Sequence, residues 1–260
     1  MEVIGSNSVN NAYNTSLQNL SKAVLQLASG KSIFNPSDNP AGLAISEDMA
    51  LEISGDTAAN NNMSNANNFI NTADSYMQSA QDMVGRMSEL SIQMNDSTLN
   101  ANDQQAISAE YSALNNEVNN VFNTSQYNGL PIFGQAVTLA TDSNGGQFTI
   151  GVNALGNLAG STPNTLTAGT ATAVNAALQT ASANISTQRA NLGAAQSQLQ
   201  YMQSSLVTNI VNTQASNSSI SDLDMAQGAM SMTQNQILNQ ASLAMMAQAN
   251  LNARNVLSLL

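Results

Sequence analysis

Between Ala59 and Met94 the apolar residues form a heptad seam without a slip: Ala59, Met63, Ala66, Ile70, Ala73, Met77, Ala80, Val84, Met87 and Met94, with Ser91 in its polar slot. Steps that alternate between four and three residues keep them all on one stripe of one long helix. A second row, Phe69, Tyr76, Met83 and Leu90, repeats every seven residues on the flank of the first. One seam needs one partner helix. Two adjacent seams need a bundle, and they make this helix the spine of a body built to assemble.

The remaining periodicities supply the partners. Tyr13, Leu17, Leu20, Val24 and Leu27 predict a narrow amphipathic helix ended by Gly30. Asn35-Pro36 and Asn39-Pro40 interrupt it, and Asn39 caps the long helix, which is expected from about Ala41 to Leu99. After a short turn capped by Asn102 or Asp103, Ile107, Tyr111, Leu114, Val118 and Val121 predict its antiparallel neighbour. Val137, Leu139 and Thr141, then Phe148, Ile150 and Val152, alternate around Ser143-Asn144-Gly145-Gly146 and predict one β-hairpin. From about Ala173, Val174, Leu178, Ala181, Ile185, Leu192, Ala195, Leu199, Met202 and Leu206 resume the helical register, with Gln188 as its polar member. The polar stretch Gln214–Ser219 is expected to break that helix, and a last one runs from Ile220, started by a capping box at Ser219. The fold class expected is mainly α, a long antiparallel helical bundle or coiled coil with one β-hairpin.

Charge and residue usage exclude several function classes. Sixteen acids face five scattered bases, Lys22, Lys31, Arg86, Arg189 and Arg254, which cannot neutralise a nucleic-acid backbone. No basic amphipathic face or long apolar run suits a membrane. The chain has no His and no Cys, so catalytic triads, thiolate chemistry and zinc-protease helices are out of reach. Acid pairs such as Glu47-Asp48 and Asp222/Asp224 read as helix N-terminal charges, and heptad-spaced Met as core filler rather than a soft-metal site. No enzyme activity, cofactor or metal is expected. The N-terminus has no charged and apolar leader, which implies a cytosolic protein or export without a cleaved signal peptide.

Several stretches carry a resemblance to bacterial flagellin. They are Leu27-Ala28-Ser29-Gly30 with Asp38-Asn39-Pro40-Ala41-Gly42-Leu43-Ala44-Ile45-Ser46, Arg86-Met87-Ser88-Glu89-Leu90-Ser91-Ile92-Gln93, and Gln126-Tyr127-Asn128-Gly129. At the other end stand Ile237-Leu238-Asn239-Gln240-Ala241, Ala247-Gln248-Ala249-Asn250 and Asn255-Val256-Leu257-Ser258-Leu259-Leu260. The resemblance covers roughly 1–135 and 174–260. It implies a flagellar filament subunit for swimming motility, with the hook–filament junction protein as the alternative.

By that resemblance, residues 1–31 and 220–260 are inner-core terminal helices that pair and fold on assembly, joined by a connecting spoke of 32–41 and 214–219. Residues 42–135 and 173–213 form the helical bundle, and 136–172 hold the hairpin and a short exposed loop in place of outer domains. The expected polymerisation seam is Leu17, Leu20, Val24, Leu27, Ile237, Ala241, Ala244 and Leu251. Arg86, Leu90 and Glu110, with Leu90 near the surface, are expected to contact neighbouring subunits or the innate flagellin receptor, Toll-like receptor five. The partners implied are other flagellin subunits, an export chaperone, the filament cap and the hook-junction proteins. The location implied is the bacterial flagellum, extracellular after type III export or periplasmic.

Overall fold

The computed structural model describes residues 2–152 and 164–257, and side chains within 8–152 and 164–251. The side chains of Val3, Ile4 and Arg254, those of the closing signature 255–260, and residues 153–163, expected to form an exposed loop, lie outside this description. Five helices and two short hairpins make up the described residues. They are α1 (Glu2–Ser29), α2 (Pro40–Met94), α3 (Ala101–Thr124), β1 (Gln126–Tyr127), β2 (Leu130–Pro131), β3 (Gln135–Ala140), β4 (Gln147–Val152), α4 (Ala171–Ser221) and α5 (Met225–Leu257). The chain divides into one unit of Met1–Ile53 with Val211–Leu260 and another of Ser54–Ile210.

In the Ser54–Ile210 unit, every member of the Ala59–Met94 seam is buried, Ser91 included. Ser91 is tolerated there because its hydroxyl donates to the Ala171 carbonyl at 2.6 Å. Val174, Leu178, Ala181, Ile185, Leu192, Leu199 and Leu206 of α4 join the same core. A ladder of polar contacts runs beside it: Asp56 with Asn209, Ser64 with Gln203, Asn71 with Gln196, Asp74 with Arg189, Gln81 with Ser182 and Ser88 with Asn175. As the number rises along α2 it falls along α4, so the two helices are antiparallel. The second row of α2 is covered as well, since Phe69 and Leu90 are buried and Tyr76 and Met83 partly so. Tyr111, Asn115 and Val118 are the buried residues of α3.

Local chemistry sets the ends. Pro40 opens α2, and the Asn39 carboxamide oxygen accepts from the Gly42 amide at 3.0 Å. The helix stops at Met94, earlier than the expected Leu99, because the Asp96 side chain accepts from both the amide and hydroxyl of Thr98 and stabilises a turn. The cap of α3 is Asn100 rather than Asn102 or Asp103, and Asp103 completes its capping box.

The expected hairpin is β3–β4, with Leu139 opposite Phe148 and Val137 opposite Ile150. A separate, shorter ladder, β1–β2, turns at Asn128 and Gly129, both at positive φ. The β3–β4 turn docks on α2: the buried Asp56 carboxylate accepts from the Ser143 amide at 2.9 Å. Gly55 lets the turn approach, since a Cβ there would stand 2.7 Å from the Ser143 Cβ.

Two expectations near the C-terminal link are corrected. Gln214–Ser219 does not break α4, which continues to Ser221. Polar residues at exposed helical positions form their helix bonds normally, and Ser216 and Ser219 return their hydroxyls to the Asn212 and Ser216 carbonyls. The break falls at 222–224, and the last helix starts at Met225 rather than Ile220. Its cap is Asp224, which accepts from the Ala226 and Gln227 amides at 2.9 and 3.2 Å, in place of the expected Ser219 box.

Candidate assembly surfaces

In the terminal unit α1 packs along α5, and Ser16 Oγ donates to the Asn235 carbonyl at 3.3 Å. On α1 the row turned inward is Val9, Tyr13, Ser16, Leu20, Ala23 and Leu27, of which Ser16 and Ala23 are fully buried. On α5 the covered row is Gly228, Asn235, Asn239, Ser242, Met246 and Ala249. Gly228 permits the closest approach, because a Cβ there would meet Leu223 at 2.7 Å and Leu27 at 3.3 Å. The α5 side of this pairing is mostly small and polar, and the larger side chains, Tyr13, Leu20 and Leu27, come from α1.

The links at the base of the pair are held by backbone. Gly30, at φ +70, ends α1, and its carbonyl accepts from the Leu223 amide at 2.9 Å. The Ser32 amide donates to the Ser221 carbonyl at 2.7 Å, and the backbones of Lys31 and Asp222 pair as an isolated antiparallel β-bridge. Lys22 Nζ reaches the Asp38 carboxylate at 2.7 Å, and that carboxylate also accepts from the Phe34 and Asn35 amides. The Lys22 hydrogen bond, then the Asn35 amide, lowers the Asp38 pKa to about 2.

The expected seam residues divide between two surfaces. Leu20 and Leu27 are half-buried against α5, whereas Leu17 and Val24 are 40% and 45% exposed on the flank. Ile237 and Leu251 are 61% and 53% exposed, and Ala241 and Ala244 are exposed with them. At about 100° per residue these four lie opposite the covered row of α5. They are brought together as one stripe, but not against α1. The row that does face α1 has its own sequence signal, Gly228, Asn235, Ser242 and Ala249 every seven residues. Its members are small or polar, so a search for large apolar side chains passes over it.

In the other unit, Arg86 pairs with Glu89 at 3.0 Å and with Glu110 at 2.8 Å, all exposed. Glu89, then Glu110, raises the Arg86 pKa. Leu90 is only 1% exposed, which overturns the expectation of a surface leucine. It belongs to the second heptad row of α2, and that row is covered. Arg86 and Glu110 are thus a surface pair, and Leu90 is core. A groove of about 340 Å³, lined by Phe69, Tyr127, Leu130, Val137, Thr138 and Leu139 among others, has no charged group on its wall. Among the described residues no cluster of three His, Cys, Asp or Glu side chains could hold a metal. No described helix is long and apolar enough to cross a membrane.

Residues 3–138 match the model of the bacterial flagellin N-terminal helical region, and residues 176–260 that of the C-terminal helical region. The chain belongs to the bacterial flagellin family. This flagellin is 35% identical over 263 residues to a flagellar filament 30.7 kDa core protein of Treponema maltophilum, covering 90% of each chain. It is 33% identical over 261 residues to flagellin FlaB1 of Treponema pallidum, covering 92% of this chain and 91% of the relative. To a flagellin of Listeria innocua it is 32% identical over 255 residues, covering 90% and 89%. The crystal structure of Bacillus cereus flagellin shares the fold, with a TM-score of 0.52 and 23% identity over 56% of this flagellin and 88% of that chain.

Proposed function

We propose that this flagellin is the structural subunit of a bacterial flagellar filament, polymerising with copies of itself to drive swimming, with no catalytic role. The observation that carries this reading is the orientation of α5. Its mostly small and polar row lies against α1, and Met230, Ile237 and Leu251 on the opposite face are turned to solvent. Water penalises that arrangement, and covering the outward row with other copies removes the penalty. The flank of α1 and the outer face of α5 are different surfaces, so contact between them is head-to-tail. A head-to-tail contact whose rotation does not close generates an open helical polymer.

The terminal helices fold fully only on assembly in this reading. Ordering each residue costs about 1–2 kcal/mol, and a pair whose fully buried positions include Ser16, Ala23 and Gly228 has little apolar burial to offset it. Residues 1–31 and 220–260 form the inner core of the filament in this reading. The subunit leaves the cell through the flagellar export route with its chaperone, and adds beneath the filament cap beyond the hook-junction proteins. For Arg86 and Glu110 we favour subunit packing; recognition by Toll-like receptor five would use the same exposed pair.

Electron microscopy of the purified chain, before and after seeding with its own sheared filaments, tests the reading. Long uniform filaments support it. Soluble particles alone, even with seeds, would refute it in favour of the junction protein. Deleting 220–260 is expected to leave a soluble helical bundle that never polymerises.

A further inference from the structure

Thirteen methionines stand in the chain, and the fold sorts them. Met63, Met77, Met87 and Met94 lie in the core, each at 1% exposure or less. Met225, Met230 and Met245 of α5 are 54%, 59% and 61% exposed. These three are not equivalent. Met230 heads the outward row that continues through Ile237, Ala244 and Leu251, and Met245 follows Leu238 by seven residues in the adjacent outward row. Met225, the first residue of α5, shares its row with Met232, Asn239 and Met246, which turn toward α1, and is not on the outward row.

We propose that Met230 and Met245 form an oxidation-sensitive switch on self-association, with a peroxide as the oxidant. The thioether sulfur donates an electron pair to one peroxide oxygen, the O–O bond breaks, and water leaves. Methionine loses two electrons to become the sulfoxide, and the peroxide is reduced. The reaction needs an accessible sulfur, which the free subunit presents on α5 and withholds in the core. A sulfoxide on the outward row is a strong hydrogen-bond acceptor, and covering it with a neighbour leaves it without its water. From Met225 to Leu251 α5 carries no charged side chain, so association there depends on apolar fit with no ion pair to compensate. Methionine suits such a face because it adapts to an irregular partner surface, and the same choice makes the face oxidisable. The effect on assembly rests on the filament reading above; the site selectivity does not.

The free chain is treated with graded hydrogen peroxide, mapped by peptide mass spectrometry, and offered to sheared filaments of the untreated protein. Oxygen is expected on Met225, Met230 and Met245 before Met63, Met77 or Met87, with elongation lost in step with Met230 and Met245. The double variant Met230→Leu/Met245→Leu should still gain oxygen at Met225 and keep elongating. Met225→Leu should lose elongation as the parent does. An oxidised parent that elongates normally, or an oxidised double variant that fails, overturns the switch. Core methionines oxidising as early as those of α5 would overturn the site assignment. Untreated chain that never elongates refutes the filament reading instead, and the order of oxidation still decides the selectivity.

Discussion

Tyr111 shows what a single side chain contributes and what it costs. It is fully buried, its hydroxyl has no hydrogen-bond partner, and burial pushes its pKa up to about 12. An unpaired buried hydroxyl carries a desolvation penalty with no return, so Tyr111→Phe should leave stability unchanged or raise it by about 1 kcal/mol in urea unfolding. Leu90→Ala is expected to cost about 2–5 kcal/mol by the same measurement, as a core truncation does; a surface leucine would cost far less. At Asp38 folding lowers the pKa from 3.8 to about 2. Its contact with Lys22 therefore contributes stability above the unfolded value and loses it as pH falls through about 2. Protection factors of the amides across 33–39, which remove the intrinsic pH dependence of exchange, should fall over that interval, and Asp38→Asn should abolish that fall.

At the scale of elements, two of the three glycines of α2, Gly55 and Gly85, separate propensity from packing. Nothing lies within 4 Å of a Cβ built on Gly85, so Gly85→Ala should stabilise by about 0.5–1 kcal/mol through helix propensity alone. Gly55→Ala meets Ser143 in the β3–β4 turn at 2.7 Å, and overpacking should outweigh propensity and cost about 1–3 kcal/mol. Thermal melts of the two variants moving in the same direction would refute this account of the hairpin's docking. The seams of α2 and α4 were legible because each alternates four and three without interruption, and a core of two antiparallel helices leaves them little choice of face. The end of α4 was not legible. Asn, Gln and Ser over 214–219 look like a loop in composition, yet a helix already running continues through them until Asp222.

For the whole molecule, the outward face of α5 sets the expectation for solution behaviour. With no charge from Met225 to Leu251, association through that face should hardly respond to salt, since that stretch supplies no ion pair for salt to screen. Elongation rates at low and high ionic strength are expected to agree closely. A steep fall with salt would point to the Arg86–Glu110 surface as the dominant contact instead.

The helices, the main hairpin and the antiparallel core are already written in the residue pattern, because heptad and two-residue periods are local records of which face is buried. Signatures at both ends carried the family. Which face of α5 meets α1 is settled by packing alone. Two rows repeat there with the same period, one of Met, Ile, Ala and Leu and one of Gly, Asn, Ser and Ala, and periodicity cannot rank them. Size favours the first row, but close approach at Gly228 and the Ser16–Asn235 contact select the second. The same limit applies to Leu90. Its seven-residue spacing places it on a row, but the covering of that row is a property of the packed helices around α2, not of the spacing.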